Sequence, residues 1–345
     1  MFFGNSRTNG VRSLTDEFGI KHDGGEKLGA KSNGPNVANF NRKGTAPNQR
    51  PQSGLALFTA ANQLFETPAA AGGATRLEWE PPVCANLSGM SRAFTVFRQP
   101  HFSPYKVFLR RDLQLGVMLN PKVGSSAFRA VAIEGLRNGR AKPQLGPWWP
   151  ISRKRRYTTA PPADYFHAFN HAENFDFRCF VRNPYARVLS AWNDKLVKGF
   201  HSPSYPRSMV KLVPRIRRFA AEAGLPGDSG DAPIPFPTFL SYVESQPEGK
   251  RNQHWDTQRS VLWPHLIPYR QVYHMETDFV SGMADTLALL GIPADWTREK
   301  LARPTNASGA ITEPVYTPEL AERVHALYTP DFEEFGYDTN SWQGL

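Results

Sequence analysis

The sequence has only two cysteines in 345 residues, Cys84 and Cys179. That is too few for a disulfide framework, and a domain of this size does not need one. No apolar stretch approaches the ~18 residues of a membrane span, and MFFGNSRTNGVRSLTDEFG at the start contains no apolar core of signal-peptide length. These absences lead to the expectation of a cytoplasmic protein without a membrane span, in which the Asn-x-Ser matches at Asn86 and Asn306 are chance occurrences. Also missing is G-x4-G-K-[ST], which weighs against an ordinary triphosphatase or kinase phosphate loop.

Acidic residues are in deficit, 31 against 41 Lys and Arg, for a formal charge of +10. Such a surface attracts polyanions: acidic glycans, nucleic acid, anionic lipid or a multiply charged nucleotide. The clusters Arg153–Arg156 and Arg215–Arg218 could serve nucleic acid, but no nucleic-acid motif accompanies them.

Residues 1–75 are rich in Gly, Asn, Ser and Lys and have little hydrophobic periodicity, so a flexible or disordered N-terminal arm is expected there, with one short helix over Ser53–Glu66. Residues 76–345 form the expected folded domain. Within it, QLGVMLN (Gln114–Asn120) reads as a doubly buried strand, followed by a loop and the amphipathic stretch SSAFRAVAIEGL. Pro143–Pro162 reads as a long surface loop with a cationic tip. Phe175–Val181 and Tyr269–Met275 read as further strands. Helices are expected from Pro184, over Thr238–Ser245, Asp278–Leu290 and Pro318–Tyr328. Strands alternating with helices predict an α/β, three-layer architecture around a mostly parallel sheet.

Two segments point to anion chemistry. In PKVGSSAFRA (Pro121–Ala130), a strand, a Gly/Ser loop and a helix start aim backbone N–H groups and the positive helix end at a phosphate-like group. Gly124 permits close approach, Ser125 and Ser126 add hydroxyl donors, and Lys122 supplies a movable charge. A helix with ordinary Ser caps is the plainer reading of the same residues. In FVRNPYARVLSAW (Phe180–Trp192), Arg182 follows a buried strand and Ser190 lies one to two turns into the next helix, a fork and a hydroxyl suited to a second phosphate. Arg182 could equally be a strand-end ion pair, and Arg187 and Lys195 solvated helix-face charges. Two anion sites at two strand ends match a nucleotide phosphorylated at both ends.

Both segments resemble the carbohydrate sulfotransferase family 2 group, whose members use 3′-phosphoadenosine 5′-phosphosulfate (PAPS). PKVGSSAF is similar to that family's 5′-phosphosulfate loop and FVRNPYARVLSAWNDK to its 3′-phosphate signature, F-V-R-[DN]-P-[YF]-x-R-[LV]-x-S-A-[YW]. Further likeness lies in NQHWDTQ (Asn252–Gln258), YHMETDF (Tyr273–Phe279) and YTPDFEEFGYD (Tyr328–Asp338). The resemblance implies a P-loop-like fold and transfer of a sulfuryl group from PAPS to a hydroxyl acceptor, a carbohydrate first, without a metal. It places Lys122, Val123, Gly124, Ser125, Ser126, Ala127 and Phe128 around the 5′-phosphosulfate and Arg182 and Ser190 on the 3′-phosphate. Asn306 and Ser308 fall where family members carry a loop that can close over the nucleotide.

Sulfuryl transfer to an alcohol needs in-line geometry, positive charge at the leaving phosphate and a base. Lys122 is the candidate for the charge. His254 and His171, with His167 behind them, are the candidate bases, and Glu276 could orient a base or cap a helix. His167 and His171 also have the i, i+4 spacing of a helical metal pair, but only Glu173 is near as a third ligand. A degenerate protein that binds nucleotide without transfer is disfavoured by the intact Lys122, Arg182 and Ser190.

Overall fold

The computed structural model describes residues 89–146, 151–198, 211–230, 232–302 and 315–345. The arm expected over residues 1–75, the helix at Ser53–Glu66, Cys84, Asn306 and Ser308 all lie outside the described residues. The chain has mixed α/β architecture, built on one four-stranded sheet in the order β1-β2-β3-β4. Its strands are β1 (Val107–Arg110), β2 (Leu115–Met118), β3 (Asp176–Val181) and β4 (Tyr269–His274). β1 runs antiparallel to β2, whereas β2, β3 and β4 are mutually parallel, with Met118 opposite Cys179 and Val181 opposite His274. The three parallel strands therefore end on one edge.

Side chains alternate across the sheet with the two-residue period of a strand. Val107, Leu109, Met118, Phe177, Cys179 and Val181 face one side, packing on α1 (Gly89–Phe97) and α3 (Pro162–Asn170) through Ala93, Val96, Tyr165 and Phe169. Phe108, Leu115, Val117 and Phe180 face the other, packing on α2 (Ser125–Asn138) and α8 (Phe279–Ala288) through Phe128, Val131, Met283 and Leu287. β2 is buried at all four positions, as its unbroken apolar run requires. Cys179 lies fully inside β3 as a free thiol, and burial pushes its pKa well up.

The crossover from β3 to β4 carries α4 (Pro184–Trp192), a π-helical segment (Asn193–Lys198), α5 (Leu212–Glu222), α6 (Phe236–Glu244) and α7 (Gln258–Leu262). With α10 (Pro318–Phe335), the helices α4, α5 and α6 enclose a separate cluster around Tyr185, Phe236, Phe239, Trp255 and Tyr328. A further helix, α9 (Ala294–Leu301), follows α8.

Three details differ from the sequence expectations. Arg215–Arg218, a cationic cluster by sequence, lies within amphipathic α5, whose other face buries Leu212, Val213, Ile216 and Ala220. Within Pro143–Pro162 the chain folds back on itself, the N–H groups of Gln144 and Leu145 both donating to the carbonyl of Arg156 (2.9 and 3.3 Å), and Tyr157–Ala160 are buried. α10 continues seven residues past Tyr328, where a kink (φ −119°, ψ 17°) lets Pro330 enter without an N–H to offer, and Gly336 closes it in the left-handed region. Among the described residues no helix is long and apolar enough to cross a membrane.

Candidate active site

The loop between β2 and α2 lies at the edge where the parallel strands end, the customary ligand edge of such sheets. Two of its residues adopt left-handed backbone, Lys122 (φ 69°) and Gly124 (φ 66°). For Gly124 this conformation is inexpensive; for Lys122 it costs about 1 kcal/mol, a local strain of the kind that persists where surrounding contacts hold it. Gly124 is the cap residue of α2, so the first N–H groups of that helix, Ser125 onward, have no partners within it and face outward. Ser126 is exposed, Lys122, Gly124, Ser125 and Ala127 are half-buried, and Val123 and Phe128 anchor the loop in the core. A Cβ at Gly124 would sit 2.1 Å from the Phe279 ring. Gly124→Ala is therefore expected to destabilise the fold by about 1 kcal/mol or more, from φ strain plus displacement of that ring, read as a lowered denaturant midpoint. An unchanged midpoint would contradict the assigned geometry.

Lys122 Nζ lies 3.0 Å from Asp194 Oδ2, and the same oxygen takes Lys195 Nζ at 2.9 Å. Two ammonium groups share one carboxylate, leaving net positive charge beside the outward N–H groups of α2. Burial lowers the Lys122 pKa, opposed by Asp194. Arg182, partly exposed just past β3, donates through Nη1 to the carbonyl of Lys122 (3.2 Å). Burial lowers its pKa too, against the pull of Glu276. Ser190 is buried in α4, on the helical face shared by Arg187 and Asp194 at spacings of three and four residues.

Arg187 is not a solvated helix-face charge. It is 1% exposed and donates to three backbone carbonyls: Pro121 (3.2 Å), Asp256 (2.5 Å) and Gln253 (3.0 Å). One guanidinium thus ties the Lys122 loop to the segment carrying His254. Gln258 completes the frame. Its Oε1 accepts from Asn120 Nδ2 (2.8 Å) and the Arg182 N–H (2.9 Å), and its Nε2 donates to the Arg182 carbonyl (2.8 Å). The start of α7 is held by Asp331, whose carboxylate accepts from the N–H groups of Gln258 (2.8 Å) and Arg259 (2.9 Å). Burial lifts the Asp331 pKa to about 6 despite these donors and Arg187.

His254 belongs to this cluster. Its Nδ1 lies 2.7 Å from Asn252 Oδ1, an acceptor that fixes the proton on Nδ1 and leaves Nε2 with a lone pair. Burial, then Lys195, Lys122 and Arg187, depress its pKa to about 3. His171 stands elsewhere. It is exposed at the C-terminus of α3, before β3 begins, and the six residues of β3 put roughly 20 Å between it and Arg182. His167 stays with it, their ring centroids 4.7 Å apart. Glu276 lies at the site's edge, accepting the Asn183 N–H (2.9 Å) and the Tyr337 hydroxyl (3.3 Å).

Asp194, Gln258, Asn252 and Asp331 were not singled out from sequence. Asp194 had a usable signal, sharing a helical face with Arg187 and Ser190. Gln258 and Asp331 act through contacts between distant segments, whereas Asn252 acts on His254 two residues further along the chain.

A left-handed glycine loop, a strand-end arginine and a buried histidine thus come together in a basic cluster at the ends of the parallel strands. The Sulfotransferase family pattern matches residues 121–338, well over half of the chain, and the chain belongs to that family. Carbohydrate sulfotransferase 11 of Rattus norvegicus and of Mus musculus are each 27% identical over 177 residues, 48% of this chain and 48% of the relative. Carbohydrate sulfotransferase 10 of Danio rerio is 25% identical over 282 residues, 76% of this chain and 74% of the relative. The chain thus matches about half the length of the first two relatives. No solved structure matches.

The expectation of a cytoplasmic protein is corrected by these relatives, because carbohydrate sulfotransferases 11 and 10 are Golgi membrane enzymes. That expectation rested on the lack of a long apolar run, which carries no information about the compartment.

Proposed function

We propose that this chain transfers a sulfuryl group from PAPS to a hydroxyl of a carbohydrate acceptor, on a P-loop-like three-layer fold. The observation that carries the proposal is the convergence of Lys122, Lys195, Arg182 and His254 at the end of the parallel strands, beside the unpartnered N–H groups of α2. A donor with a phosphosulfate at one end and a phosphate at the other fits this set: more cationic groups than carboxylates, a left-handed glycine for close approach, and helix N–H donors. The carbohydrate acceptor is taken from the printed names of the relatives.

In this reading the backbone from Lys122 to Phe128 and the hydroxyls of Ser125 and Ser126 hold the 5′-phosphosulfate, while Arg182 and Ser190 hold the 3′-phosphate. His254 Nε2 accepts the proton of the acceptor hydroxyl as its oxygen bonds to sulfur. Lys122 neutralises the charge left on the phosphate oxygen as the S–O bond breaks, with Lys195 beside it. Asn252 keeps the His254 tautomer competent. The geometry favours His254 over His171 as base, since the latter stands at the far end of β3.

A histidine with a pKa near 3 is a weak base, so the donor has a second role in this account. Its negative charges offset the field of Lys122 and Lys195, and the His254 pKa rises when it binds. By NMR, His254 is expected to stay neutral down to about pH 4 in the free protein and to titrate at least one unit higher with 3′-phosphoadenosine 5′-phosphate bound. Titration near 6.5 in the free protein, or no upward movement on binding, would overturn this assignment. The function itself is tested by incubating the protein with labelled PAPS and a panel of oligosaccharides and reading product mass. Label appearing on a sugar hydroxyl supports it, and no transfer to any acceptor together with no PAPS binding rejects it.

A further inference from the structure

Three cations gather around Tyr105, an exposed aromatic residue near the start of α2, and one of them lies over its ring. Arg155 stacks over the Tyr105 ring, 4.7 Å from its centroid. Arg129, one turn into α2 from Ser125, donates through Nη2 to the carbonyl of the same Tyr105. Lys106 follows directly in the chain, its Nζ on the His101 carbonyl at 2.5 Å. Its own carbonyl takes the N–H of Leu119 (2.7 Å), which joins this ledge to the start of the anion loop.

Among the described residues no carboxylate pairs with Arg129, Arg155 or Lys106. The buried carboxylate of Asp256 is already engaged by His101 Nε2 (2.6 Å) and the Thr257 N–H (2.9 Å). The cations lie close enough to act on one another. Burial and then Arg155 lower the Arg129 pKa, and burial followed by Arg129 and Arg187 lowers Lys106 to about 8. Like charges held together without a counter-ion disfavour the free protein and favour an anion that bridges them. Tyr105 remains 40% exposed, an apolar ring face of the kind a sugar ring covers, and Arg129 and Arg155 offer forked donors that match carboxylate or sulfate oxygens.

We propose that Tyr105, Arg129 and Arg155 form an acceptor subsite that selects sugars bearing an anionic group, with the sugar ring against Tyr105 and its carboxylate or sulfate ester between the two guanidinium groups. The proposal rests on the sulfotransferase reading above, because it takes the ledge as the acceptor's approach to the anion loop. It adds the side chains that would select the acceptor, none of which is among the residues assigned to the donor.

The test uses the full chain with and without 3′-phosphoadenosine 5′-phosphate and three oligosaccharides of equal length. These are an unsulfated uronate-containing chain, its carboxyl-reduced neutral form, and the reduced form carrying sulfate esters. Titration calorimetry is expected to show the wild-type protein binding one or both acidic chains at least ten-fold more tightly than the neutral one, the two acidic chains separating carboxylate from sulfate ester. Arg129→Gln/Arg155→Gln should remove that preference and leave affinity for the bisphosphate within two-fold. Equal binding of all three chains, binding of none, or a preference retained in the double variant overturns the subsite. Loss of bisphosphate binding in the wild type instead overturns the sulfotransferase reading, while the sugar titration on the free protein still judges the ledge.

Discussion

Replacing Lys122 with Ala is expected to lower kcat by about 10²-fold or more, with the fold intact. The ammonium group is half-buried, held by Asp194 at 3.0 Å, and projects from a loop whose backbone is fixed independently of it. Arg182 grips the Lys122 carbonyl and Arg187 the Pro121 carbonyl, so truncating the side chain removes charge without releasing the loop. If the charge acts on the leaving phosphate oxygen, the loss falls on kcat more than on the KM for PAPS, because that charge is largest in the transition state. A variant with near-normal turnover would remove Lys122 from the chemistry. The left-handed φ of 69° adds a smaller effect in the opposite direction: glycine would relieve the strain, so Lys122→Gly separates backbone stability from charge.

Arg187→Ala is expected to produce the largest loss of stability, about 3–5 kcal/mol. The side chain is fully enclosed, and its removal strands three carbonyls, those of Pro121, Gln253 and Asp256, which then face a cavity. Burial lowers the Arg187 pKa while Asp331 and Asp256 pull it back, so the group remains a cation whose field reaches both His254 and Lys106. Arg187→Lys keeps the charge but can reach only part of the three-carbonyl arrangement and should recover a minority of the loss. Chemical denaturation measures both, and a loss under 1 kcal/mol for Arg187→Ala would mean that the three hydrogen bonds are dispensable.

Much of the fold was legible locally. The run LGVM can only be a doubly buried strand in an α/β sheet, and the alternation of Phe177, Cys179 and Val181 against Phe180 marks β3. Asn183 followed by Pro184 marks the start of α4, where the Asn side chain accepts the N–H of Tyr185 (3.0 Å). β1 was not legible: four residues of antiparallel edge strand beside a short connection leave no periodic signal. Helix α3 was not read from the sequence: its nine residues begin at the last proline of the Pro- and Arg-rich stretch Pro143–Pro162 and complete only about two and a half turns before β3.

The candidate site divides the same way. Lys122, Gly124 and Arg182 sit in segments whose chemistry is written in adjacent residues. The roles of Arg187, Gln258 and Asp331 are set by partners 66 or more residues away, and no spacing in the sequence announces such a pairing. Charge alone made Arg187 look like a surface residue; burial with three carbonyl acceptors reverses that reading. Proximity in sequence was equally misleading for His171, eleven positions before Arg182 but separated from it by the length of β3.

The central claim is that two anion sites at two strand ends together hold a nucleotide phosphorylated at both its 3′ and 5′ positions. Calorimetric titration of the full chain with 3′-phosphoadenosine 5′-phosphate and with adenosine 5′-phosphate tests it most directly. The account predicts that the bisphosphate binds at least ten-fold more tightly and that Arg182→Ala abolishes the difference, since a desolvated forked contact to a phosphate is worth about 1.5–3 kcal/mol. Equal affinities for the two nucleotides, or a difference that survives in Arg182→Ala, would contradict it.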